Sequence, residues 1–159
     1  DIEHLIDQTR VLVPELNGVS LSVNTIDSDS TFLAAQVDLS TISNPPLERQ
    51  YLIQINPQIF EEQIAGSSTV AILMHEFKHV LDYTEMDSNA LIEFGLWYAG
   101  GDVAEYERAT DEFALERGCA SGLIDFREWL YGFVSEEVRA EKEANYYSPD
   151  EIRAWMEVN

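Results

Sequence analysis

The sequence predicts an α+β fold: a small N-terminal antiparallel or mixed sheet followed by a helical C-terminal part, in one domain. Three observations carry this. Apolar residues alternate with period two through the first third of the chain, and they recur with a helical period from Ser67 onward. No repeat, low-complexity tract or Pro/Gly/Ser-rich linker divides the 159 residues, a length at which one domain buries its own core.

Residues 1–16 form a short amphipathic segment ended by Pro14. Val19 to Leu39 alternates in strand fashion through VSLSVNTI and TFLAAQVDL, with Ser-Asp-Ser turn chemistry between the two runs. After the loop holding Asn44, Pro45 and Pro46, the run YLIQIN sets Leu52 and Gln54 against Ile53 and Ile55, a half-exposed strand ended by Pro57. Ser67 or Ser68 can cap a long helix through TVAILMHEFKHVLDY. A second helix spans about Asn89 to Tyr98 and stops at Gly100 and Gly101. Asp102 with Glu105 opens a third, which Gly118 ends. Two more follow near Leu123–Phe133 and Glu136–Ala144, and Ser148, Pro149 and Glu151 announce a last one.

Thirty acidic residues against nine basic ones give a formal net charge of -21, which repels nucleic-acid backbones and anionic lipid surfaces. No segment approaches the roughly 18 apolar residues of a membrane span, so a soluble chain is expected. The single cysteine, Cys119, cannot form an intrachain disulfide, which tilts the expectation of compartment toward the cytoplasm. Oligomeric state is not encoded in any pattern.

Within the first strong helix stands His75-Glu76-Phe77-Lys78-His79, the pattern HExxH. Histidines four apart share a helical face, so two imidazoles can reach one metal ion, with Glu76 beside them as a general base. Ala71 to Met74 before the motif and Val80 and Leu81 after it mark a buried helix, where histidines without partners are costly. Two core histidines bonded to backbone or acids are the plainer alternative. A hydrolytic zinc site takes three protein ligands and leaves a position open. His4 lies far upstream, and Asp82 and Glu85 stand where a metzincin needs glycine and histidine, so a carboxylate is expected as the third ligand. Downstream, in EYERATDEFALERG, Glu107 and Asp111 are four apart on one helical face. Glu107 can bind metal, and Asp111 can accept a hydrogen bond from a ligating imidazole. In so acidic a chain these residues can also be a solvated face.

HExxH with a downstream ExxxD resembles the gluzincin metallopeptidases, most closely the small members called minigluzincins, over about residues 50–118. The resemblance implies a zincin-like fold and one Zn²⁺ per chain held by His75, His79 and Glu107. It further implies Glu76 as the catalytic base, Asp111 as partner of His75, and peptide-bond hydrolysis by an activated water in a peptide or protein substrate. It implies an edge strand above the cleft, the place that YLIQIN occupies in the sequence, so Leu52 to Ile55 is expected along the cleft with a free edge. A tyrosine or histidine often steadies the oxyanion in that family; Tyr83, Tyr146 and Tyr147 are the candidates here.

The competing readings are a catalytically silent or latent zinc-binding module and a regulatory peptidase acting on a repressor-type partner. Residues 145–159 are expected to pack near the cleft as a regulatory tail, with Ile152, Trp155 and Met156 forming one apolar stripe. A terminal helix that merely completes the core is the alternative.

Overall fold

The computed structural model describes residues 1–159, and its elements follow the change of period in the sequence. Helix α1 (Ile2–Val11) is capped by the Asp1 side chain and leads through a 3-10 turn at Pro14–Leu16 into the sheet. Strands β1 (Ser20–Thr25), β2 (Leu33–Val37) and β3 (Gln50–Ile55) form that sheet, and the four-residue helix α2 (Gln58–Glu61) follows it. The rest is helical: α3 (Gly66–Thr84), α4 (Ser88–Gly100), α5 (Ala104–Glu116), α6 (Ala120–Phe133), α7 (Glu136–Asn145) and α8 (Pro149–Val158). The architecture is therefore mixed α+β. No helix is long and apolar enough to cross a membrane.

The sheet is mixed, in the order β1-β3-β2, with β3 parallel to β1 and antiparallel to β2. Tyr51, Ile53 and Ile55 turn inward and are buried, while Leu52 and Gln54 are half-exposed, as their alternation requires. The free edge expected at Leu52–Ile55 is not there. Strand β3 is the central strand, and the edge facing the helices is β2, whose Ala35 carbonyl accepts from Tyr83 of α3 at 3.4 Å. Alternation reports which face of a strand is buried, and it is silent on how many neighbours the strand has.

Helix α3 is the axis of the molecule. Leu73, Met74, Phe77 and Val80 are wholly buried against the sheet and the other helices. It begins at Gly66 with Ala65 as N-cap and no capping side chain, rather than at Ser67 or Ser68, because Ser68 is buried in the first turn. There α6 crosses so closely that a methyl group on Gly122 would collide with the Ser67 carbonyl oxygen. Gly118 (φ 82°) ends α5 in a Schellman turn: Cys119 N–H donates to Ala114 O, and Gly118 N–H to Leu115 O, each at 3.1 Å. Asp102 accepts from Ala104 N–H at 3.1 Å, but Val103 holds the N-cap position and the Asp102/Glu105 capping pair does not form.

Helix α8 opens with a complete capping box between Ser148 and Glu151 and packs on α6. Its apolar stripe is graded: Ile152 is fully buried, Trp155 is half-buried against the core, and Met156 is exposed. Arg49, itself buried, donates to the carbonyls of Tyr83 and Met86 at the end of α3 and to those of Ile42 and Asn44, pinning the loop before β3 to that helix end.

Candidate metal centre

His75 and His79 lie one turn apart on α3, and Glu107 and Asp111 lie one turn apart on α5, which packs against it. The two pairs meet in the interior. Glu107 Oε2 is 3.1 Å from His75 Nε2 and 3.2 Å from His79 Nε2, and the two Nε2 atoms are 3.1 Å apart. Ligand atoms around a tetrahedral ion at about 2.0–2.2 Å stand about 3.3–3.6 Å from one another, so the triangle is a few tenths of an ångström tighter than a loaded zinc site. Glu107 is fully buried; its Oε1 accepts from the Tyr98 hydroxyl and its Oε2 faces the two imidazole Nε2 atoms. In the metal-free chain the charged His75 ring offsets this buried carboxylate, and a metal cation held by the three atoms would take over that role. This buried His75–His79–Glu107 group could hold a metal ion.

The outer nitrogens of both histidines are held. His75 Nδ1 donates to Asp111 Oδ1 at 2.7 Å, leaving Nε2 to face the site. Asp111 also takes Arg127 Nη2 on Oδ1 at 2.9 Å, and on Oδ2 it takes Arg127 Nη1 at 3.1 Å and the Tyr147 backbone N–H at 3.0 Å. His79 Nδ1 is 2.9 Å from the Tyr106 hydroxyl, which in turn donates to Asp82 Oδ2 at 3.0 Å. A phenol has one proton and Asp82 takes it, so the Tyr106 oxygen accepts from His79 Nδ1–H, and Nε2 again is free.

Charge follows this geometry. Burial alone would lower the His75 pKa, but the hydrogen bond and charge of Asp111, then Glu107, override it and raise the value to about 10. Burial pushes Asp111 up, yet Arg127 and His75 hold it down to about 2. Glu107, also opposed by burial, is held well below the ordinary carboxylate range by the two histidines. Burial and the nearby carboxylates raise the Tyr83, Tyr98, Tyr106 and Tyr146 phenols, which therefore stay protonated.

The triad opens onto a cavity of about 710 Å³. Strand β2 forms one wall, Phe94 and Tyr98 of α4 another, Phe126 and Leu130 of α6 a third, and Lys142, Asn145 and Tyr146 also line it. Glu76 is 6% exposed and lines this cavity beside the triad. Among the three tyrosine candidates, Tyr83 and Tyr146 line the cavity, and the Tyr146 ring centre is 5.7 Å from that of His75. Tyr147 turns away to donate to Glu112 at 2.6 Å. His4 is exposed on α1 and takes no part.

Sequence reasoning missed Tyr98, Tyr106, Asp82 and Arg127. Arg127 left a signal, a lone cation within the apolar run of α6, which must find a buried partner. The others left none, since their roles depend on how α4 and α5 fold back over α3. Comparison of the chain with family models, curated proteins and solved structures gives no match.

Proposed function

We propose that the chain is a zinc-dependent peptidase of the gluzincin kind, with a zincin-like fold, in which His75, His79 and Glu107 hold the ion and Glu76 is the general base. One observation carries the reading: three buried donor atoms converge on a point that no fourth protein ligand covers, and the open side faces the cavity that Glu76 lines. A structural zinc site is closed by four protein ligands, so this arrangement favours catalysis over a silent binding module. Two imidazoles and a carboxylate are a donor set that suits zinc.

Bound there, zinc supplies a Lewis acid that brings water to a pKa near 7 and polarises a carbonyl group. The chain's residues do the rest. Asp111 and Tyr106 hold the imidazoles in the tautomer that leaves Nε2 free. The Glu76 carboxylate takes a proton from the attacking water and passes it to the leaving amine. The outer edge of β2, which pairs with no strand and has its Ala35 carbonyl held by Tyr83, runs along the cavity wall, so an extended peptide that displaces this hydroxyl can add to it as a further strand. Tyr146, held protonated, is the phenol that can donate to a developing oxyanion, whereas the Tyr83 hydroxyl is engaged with the Ala35 carbonyl.

The test is Glu76→Gln, which keeps the shape of the side chain and removes its basicity. Zinc content equal to the parent's and hydrolysis of a mixed peptide library reduced by at least about a hundredfold are expected. Cleavage at the parent's rate would remove Glu76 from the mechanism, and zinc-loaded parent protein that cleaves nothing would favour the binding module.

A further inference from the structure

Lys142 stands apart among the cations of this chain. Every other lysine and arginine has a carboxylate or a set of backbone carbonyls as partner: Lys78 meets Asp82, and Arg108, Arg117, Arg127, Arg139 and Arg153 meet acids. Arg10 and Arg49 donate to carbonyl oxygens. Lys142 has no carboxylate within 4.0 Å and no hydrogen bond, in a protein with 30 acidic residues. Its side chain lies in the cavity wall, with Nζ 5.5 Å from the centre of the Tyr146 ring. Burial lowers its pKa, against the pull of Glu141, Glu107 and Glu76 and with the push of Arg127. Glu107 is engaged with the histidines, and Glu141 and Glu76 act on the ammonium without pairing with it.

A half-buried ammonium that faces a cavity with no paired carboxylate is suited to take an anion. We infer that Lys142 docks a carboxylate of the substrate in the cavity, which deepens the peptidase reading and rests on it. The Tyr146 ring bridges the two ends of the site, 5.5 Å from Nζ and 5.7 Å from the His75 ring centre. The ammonium is thus within roughly 11 Å of His75, the reach of about three extended residues. The anchored carboxylate therefore belongs to the substrate's C-terminus or to an acidic side chain, within about three residues of the cleaved bond. Because the surrounding charge of -21 disfavours anionic ligands generally, the preference is local to this cation.

The test uses the full chain carrying Glu76→Gln, loaded with zinc, so that peptides are bound without being consumed. Calorimetry compares an N-acetylated apolar tripeptide acid with its C-terminal amide, and an amidated tripeptide bearing glutamate with its glutamine counterpart. At least one acidic member should bind about tenfold more tightly than its neutral twin, and which pair discriminates tells the C-terminal carboxylate from the side chain. Lys142→Met should abolish the difference at unchanged zinc content and thermal midpoint, and Lys142→Arg should restore most of it. Equal binding within both pairs, no binding of any peptide, or a preference that survives Lys142→Met overturns the inference. A Lys142-dependent preference in a parent protein that hydrolyses nothing would leave the carboxylate subsite standing and remove the peptidase reading instead.

Discussion

Asp111 serves three neighbours at once: it fixes the His75 ring, neutralises the buried Arg127 and holds the backbone of Tyr147. Replacing it with asparagine should weaken zinc binding about 10- to 100-fold. It should also lower stability by about 3–5 kcal/mol, since a buried guanidinium loses its counter-charge. Tyr106→Phe is the cleaner comparison, because it removes one hydroxyl from His79 and leaves no charge behind. It should weaken zinc binding with only a small shift in thermal midpoint, and an unchanged affinity would show that His79 needs no outer partner. His75 gives a pH signature. Its pKa in the metal-free fold is raised to about 10, so zinc must displace a proton, and binding near pH 7 should release about one. Calorimetry in buffers of different ionisation enthalpy reads that number. The sign for the metal-free chain is that a raised histidine pKa adds stability that is complete below about pH 6.5 and fades as pH rises through about 10.

At the scale of elements, the tail is the clearest case. Deleting residues 145–159 removes Ile152 from the core and takes the Tyr147 N–H from Asp111 and its carbonyl from Arg127. A chain ending at Ala144 should therefore melt well below the parent or fail to fold. A folded, zinc-loaded truncation with raised peptidase activity would instead give the tail a regulatory role. The segment is near the cleft in part, since Asn145 and Tyr146 line the cavity while α8 lies on α6. Helix α3 with HExxH, the Glu107–Asp111 pair and the starts and stops at Gly118 and Ser148 were legible because each is encoded within a few residues of itself. The place of β3 between β1 and β2 was not, because strand order is decided by partners far along the chain. Tyr98 and Tyr106 were hidden for the same reason: their hydroxyls matter only once Glu107 and Asp82 are brought to them.

Over the whole molecule, one long buried helix carries two donors into the core, a crossing helix brings the third, and the sheet edge and α7 frame the space in front of them. Burial makes the Glu107 carboxylate costly unless it is paired, and His75 and His79 supply that pairing in the metal-free chain. The formal net charge of -21 is a separate property, which repels polyanions and is screened by salt beyond about 10 Å. The central claim is that these three side chains hold one zinc ion, and metal analysis of the purified parent beside His79→Ala tests it most directly. About one zinc per chain in the parent and a loss of most of it in the variant is the expected result. Equal zinc in the two proteins, or none in the parent after exposure to zinc, would contradict it.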